Sequence, residues 1–177
     1  GPPAHLPRRH LVMSDTDHAR IQRAWEQVRT VNDPELPFLN VEEMGMVRSV
    51  KVDQGELLVT VTPTYSGCPA TEVIQEDVSQ ALEAVDTNFR VVVSMSPAWT
   101  TDWIQESARA KMLEHGIAPP QGKSVDKAFL TGQGRVIPCP LCRTTNTKMV
   151  SAFGSTACKA QFVCNDCAEP FEHFKCI

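Results

Sequence analysis

Apolar residues between Asp17 and Val31 recur at helical spacing, with Ile21, Ala24, Trp25 and Val28 on one stripe and Ser14, Asp15 and Thr16 available as N-caps. "NDPELP" breaks that helix at Pro34 and Pro37. The pattern then shifts to β-branched runs, "VRSVKVD" and "ELLVTVT", joined by "DQGE", which has the chemistry of a hairpin turn. Leu57, Val59 and Val61 fall on one face of the second strand. Val73, Ile74, Val78, Ala81, Leu82 and Val85 outline a second amphipathic helix, with Pro69 suited to its first turn. "FRVVVSM" reads as a third strand, and a last helix from Asp102 to His115 stops at Gly116. "APPQG" opens a linker.

This order predicts an α+β protein: a small mixed α/β domain, α-β-β-α-β-α, over residues 13–116. A linker at 117–136 leads to a cysteine-rich tail at 137–177. Residues 1–12, "GPPAHLPRRHLV", read as a leader or tag ahead of Met13.

Charge narrows the function classes. Of 177 residues, 17 are Lys or Arg and 21 are Asp or Glu, a net charge of -4 that argues against a general nucleic-acid or anionic-membrane binder. No run of about 18 apolar residues is present, and no apolar core follows "PRRH", so neither a membrane span nor a secretory signal is read. A cytoplasmic protein is expected.

Six of the seven cysteines crowd the last 39 residues. "CPLC", Cys139 to Cys142, and "CNDC", Cys164 to Cys167, are separated by 21 residues, and two such knuckles place four thiolates around one tetrahedral ion. "TKMVSAF" and "CKAQFVC" alternate as strands, so the tail reads as a zinc ribbon with one structural zinc per chain and each knuckle at a hairpin tip. Spacing does not separate zinc from iron, since both accept four thiolates. The tail has too little core to fold alone, so the metal supplies much of its stability. Cys158 and Cys176 stand outside this set and read as small thiols without ligand roles, and His173 as a packed or exposed side chain rather than a ligand.

Cys68 stands alone in "TPTYSGCPATEVI", where a strand stops and a helix starts. At a helix N-terminus, unpaired N–H groups and the macrodipole favour a thiolate, which is a nucleophile or a metal ligand. Thr62, Thr64, Tyr65 and Ser66 are the nearest polar residues, and the loop contains no His for a catalytic pair. The residues alone leave a buried structural cysteine equally open.

"DPELP" (Asp33 to Pro37), "TPTYSGCPA" (Thr62 to Ala70) and "SPAWTTDWI" (Ser96 to Ile104) occur in that order, and the set resembles the iron-sulfur-assembly family that includes SufT-type proteins. With the tail and its "FGSTACKAQFVC" and "EPFEHFKC" segments, the chain from Met13 resembles the PaaD family, the D component of phenylacetyl-CoA ring epoxidation. The resemblance implies a non-catalytic accessory factor of phenylacetate degradation that installs or repairs iron or iron-sulfur centres. Its implied partners are the oxygenase or reductase components of the epoxidase and iron-sulfur assembly proteins, and it implies a homodimer through the α/β unit.

Carried onto this sequence, the resemblance makes Cys68 a functional thiol or transient ligand for iron or an iron-sulfur cluster, with Asp33 and Glu35 as neighbours. It sets Trp99, Thr100, Asp102 and Trp103 at the border of that site. Asp33 before Pro34 is also a normal turn residue, Glu35 a normal surface charge, the tryptophans normal core and Asp102 a normal cap. Two rivals belong to other classes. One is a thiol-dependent enzyme using Cys68. The other is a zinc-ribbon module for protein or nucleic acid, against which the tail sets only Arg143, Lys148, Lys159 and Lys175 beside Asp166, Glu169 and Glu172.

Overall fold

The computed structural model describes residues 14–65, 67–121 and 136–175; the leader, Met13, Ser66, most of the linker and Cys176 lie outside them. Helix α1 is Asp15–Val28, two residues earlier at its start than the apolar stripe alone implies, because the Ser14 hydroxyl accepts the Asp17 N–H at 3.1 Å and caps it. It stops before Val31, whose carbonyl is taken by the Val41 N–H at 2.9 Å. That bond and the Asp33 N–H on the Leu39 carbonyl at 2.8 Å close the "DPELP" loop on itself.

Strands β1 (Val47–Asp53) and β2 (Glu56–Val61) form the expected antiparallel hairpin. Gln54 (φ 48°) and Gly55 (φ 82°) both take the left-handed conformation that a tight two-residue turn requires. Helix α2 (Ala70–Glu83) carries the chain over to β3 (Phe89–Val93), which lies parallel to β2, giving the order β1-β2-β3. Leu57, Val59 and Val61 turn inward from the sheet and are buried in one core with Ala24 and Val28 of α1 and Ile74, Val78 and Leu82 of α2.

The last expected helix is shorter than the sequence suggests. Thr101–Trp103 is a separate 3-10 turn, whose Asp102 N–H is taken by the Thr100 hydroxyl at 3.3 Å. Ile104 is extended, and α3 runs only from Glu106 to Glu114. The Gln105 N–H goes to the Glu43 carbonyl at 2.8 Å, so a tertiary bond supplies the break. The buried Glu43 carboxylate also takes Lys111 Nζ at 2.8 Å and the Ser107 hydroxyl at 3.2 Å, fixing α3 to the 40–46 loop. Gly45 (φ 71°) has no room for a Cβ, which would lie 2.5 Å from the Trp103 carbonyl oxygen.

The second sheet has the order β4-β7-β6-β5, from Ile117–Ala118 (β4), Thr147–Ser151 (β5), Lys159–Cys164 (β6) and Pro170–Phe174 (β7). Ile117 and Ala118, placed in the linker by the sequence, instead pair in parallel with Glu172 and His173 of β7. The tail has a small core of its own, made by Ala118, Ile137, Cys139, Ala160, Phe162, Cys164 and Phe171. Phe174 and Cys158, also from the tail, belong to the main core instead. Trp99 packs edge-on against Phe174 at 6.2 Å between ring centroids and donates its indole N–H to the Met44 carbonyl at 2.9 Å. The two units therefore share apolar surface. Among the described residues, no helix is long and apolar enough to cross a membrane.

Candidate functional site

Cys68 lies one residue before the N-cap of α2, because Pro69 takes the cap position (φ -61°, ψ -25°) instead of the first helical turn. The Cys68 N–H donates to the Tyr65 carbonyl at 3.3 Å and its own carbonyl accepts the Thr71 N–H at 3.1 Å, so the loop is held at both ends. Gly67 (φ 76°) makes the turn before it. No side chain caps α2, and the positive end of the helix faces this loop.

Cys68 is 6% exposed. The Tyr65 phenol donates to Glu35 Oε1 at 3.4 Å. The hydrogen bond to Cys68, then burial, then the neighbouring charges of Cys68, Glu35 and Cys158, push the Tyr65 phenol up to about 12. It stays a neutral donor to the Glu35 carboxylate. Of the residues that the family resemblance set around Cys68, Glu35 is bonded to Tyr65, whose carbonyl takes the Cys68 N–H.

Asp33 is used differently. Its buried carboxylate accepts the Glu35 N–H at 2.8 Å, the bond of an Asx turn, and burial pushes its pKa up. It shapes the loop that presents Glu35. Asp102 is exposed in the 3-10 turn, where Thr100 rather than Asp102 is the cap. Trp99 is buried core, and Trp103 lies half-buried beneath Arg48, whose guanidinium stands 3.5 Å from the ring centroid.

Cys158, read from sequence as a small thiol without a ligand role, is 4% exposed and lies in the same apolar cluster as Cys68. Burial pushes its thiol up, and the Glu35 carboxylate adds to that push. Thr156 Oγ1 lies 3.0 Å from Cys158 Sγ. Next along β6, the buried Lys159 pairs with Glu172 at 3.4 Å. No sequence signal marks their place in one core, since 90 residues separate the two cysteines.

The four knuckle cysteines converge at the other end of the tail, their sulfurs all within 4.8 Å of one another. Cys139 and Cys167 are 3.8 Å apart and Cys142 and Cys164 3.6 Å, where four thiolates at the usual zinc–sulfur distance of about 2.3 Å stand about 3.8 Å apart on a tetrahedron. The donor set and spacing fit one tetrahedral ion. The Cys167 backbone N–H donates to Cys164 Sγ at 3.4 Å and is the main cause of that thiol's fall to about 7. The second knuckle is the β6–β7 hairpin tip, as expected, while the first precedes β5. His173 is outside the set: it is buried with Nδ1 on the Ala118 carbonyl at 3.1 Å.

Residues 21–95 match the family described as iron-sulfur cluster assembly protein, and residues 123–175 match the PaaD zinc beta ribbon domain. A protein of Escherichia coli (strain K12), provisionally named as the D component of 1,2-phenylacetyl-CoA epoxidase, is 43% identical over 162 residues, covering 89% of this chain and 94% of that one. A Fe-S protein maturation auxiliary factor of Porphyromonas gingivalis (strain ATCC BAA-308 / W83) is 38% identical over 93 residues, 51% of this chain and 85% of that one. The crystal structure of a domain of unknown function from Bacillus anthracis superposes with a TM-score of 0.51 at 25% identity, over 55% of this chain and 94% of that one. An assembly-type α/β domain and a four-cysteine ribbon thus occur in one chain that aligns along nearly its whole length with an epoxidase D component, and the chain belongs to the PaaD family.

Proposed function

We propose that this protein is a cytoplasmic, non-catalytic maturation factor of phenylacetate degradation, which installs or repairs the iron or iron-sulfur centres of the phenylacetyl-CoA epoxidase complex. Its partners are the oxygenase or reductase components of that complex and the iron-sulfur assembly proteins that supply them. The observation that carries this reading is the buried Cys68 at the head of α2, on a loop whose Tyr65 takes the Cys68 N–H on its carbonyl and bonds Glu35 through its phenol, inside the segment that matches the iron-sulfur cluster assembly family. A thiol on a loop whose tyrosine holds a carboxylate is suited to holding iron briefly, since sulfur and oxygen both ligate Fe(II). Cys139, Cys142, Cys164 and Cys167 hold one structural zinc, whose part is to fold the tail and so to keep Phe174 and Cys158 in the shared core.

Metal analysis of the protein purified without oxygen tests both roles. One zinc per chain is expected in wild type and in Cys68→Ser, with additional labile iron in wild type alone. Iron retained in full by Cys68→Ser contradicts the role given to that thiol.

A further inference from the structure

We infer that the outer edge of β5 is a docking edge, and that its occupant is an extended segment of a partner protein in which apolar residues alternate with acidic ones. The inference is independent of the reading of Cys68 and adds a surface on which a client is held. Strand β5 ends the order β4-β7-β6-β5, and among the described residues no strand pairs with its outer side. That side leaves backbone N–H and C=O groups for an incoming strand. Met149 is 58%, Val150 63% and Phe153 69% exposed, whereas β1, β3 and β4, the other sheet edges, carry no exposed large apolar side chain. Three such residues in so short a span make a patch of the kind that marks an interaction site. The patch is also fixed in place. The Ser151 hydroxyl donates to the Phe153 carbonyl at 2.9 Å and takes the Phe153 N–H at 3.2 Å. Lys175 Nζ donates to the Ala152 carbonyl at 2.9 Å and stands 4.6 Å from the Phe153 ring centroid. A surface ordered in advance lowers the cost of binding.

Register and charge select the occupant. Met149 lies opposite the buried Phe162 and Lys148 opposite Val163, so Met149 and Lys148 stand on opposite faces of the sheet. An added strand continues that alternation, with one set of side chains beside Met149 and the other beside Lys148. Apolar residues suit the first face. Lys148 is exposed and has no carboxylate partner among the described residues, and Lys175 adds a second cation beside the Phe153 ring, so acidic residues suit the other. A second copy of this chain fits less well, because it would bring its own Lys148 and Lys175 to the same edge. An edge lysine and a bulge, here between Met149 and Ser151, are the means by which sheets resist pairing with themselves.

The test uses the full chain with its tail filled by one equivalent of zinc, and amide hydrogen exchange read by NMR. The probes are an end-blocked peptide of alternating valine and glutamate, its counterpart of alternating valine and lysine, and a single-stranded oligonucleotide. In the free chain the β5 amides that point away from β6 should exchange fast, and the valine–glutamate peptide should slow them. Lys148→Glu should weaken that peptide about fivefold or more and turn the preference to the valine–lysine peptide. Phe153→Ala should weaken both peptides in the same assay. Slow exchange of every β5 amide in the free chain would mean that residues 122–135 or a second copy already cover the edge, and overturns the proposal. Slowing confined to other parts of the chain, or equal binding of the two peptides by wild type, overturns it as well. Equal slowing of the same amides by the oligonucleotide would assign the edge to nucleic acid instead. The exchange map of unaltered wild type decides between these outcomes whatever the variants do.

Discussion

Trp99 and Phe174 meet edge to face at 6.2 Å, one from the "SPAW" segment of the α/β unit and the other from the last strand of the tail. Both are buried, and their contact makes the tail part of the main core, to which Cys68 also belongs. Phe174→Ala should destabilise the protein by about 3–5 kcal/mol, the cost of truncating a fully buried aromatic. Urea unfolding checks this, and a loss below about 0.5 kcal/mol, the scale of a surface substitution, would show that the units are not packed as described.

Removing one knuckle ligand should act beyond the knuckle. Cys164→Ser is expected to take bound zinc from one per chain to near zero and to unfold the tail, because the metal stabilises a unit with a small core. Since Phe174 and Cys158 leave the main core at the same time, the urea midpoint of the α/β unit should fall as well. Elemental analysis and unfolding by two probes measure these effects. Full zinc in the variant would contradict the ligand assignment, and an unchanged midpoint would contradict the shared core.

Much of this was legible in the chain. The hairpin announced itself through "DQGE" between β-branched runs, α2 through Ile74, Val78 and Leu82, and the four-sulfur centre through two knuckles, since each signal is local. The strand β4 was not, because two residues paired in parallel with a strand more than 50 residues away leave no periodicity to read. The break at Ile104 depends on a backbone bond to Glu43, and the place of Cys158 in the main core on the docking of the tail. Neither partner is marked in sequence.

Asp33 offers a pH test of its turn role. Burial raises its folded pKa above the ordinary 3.8, so the protein loses stability as pH rises from that value through the raised one, and gains it back on acidification. Asp33→Asn keeps an oxygen to accept the Glu35 N–H and removes the buried charge. The variant should be more stable than wild type at pH 7, with that part of the pH dependence gone, and should still support maturation of the partner enzyme. Lower stability at pH 7 would show that the charge itself is needed in the loop.

The role of Cys68 is tested most directly on the client. Epoxidase partners produced in cells beside wild-type protein or beside Cys68→Ser are purified, and their iron content and ring-epoxidation rate compared. The substitution is close in size, so fold and tail zinc should persist, as measured by unfolding and elemental analysis. Partners matured beside Cys68→Ser should be deficient in iron and low in activity. Partners equally loaded and equally active in both preparations would make Cys68 a structural residue and contradict the maturation mechanism.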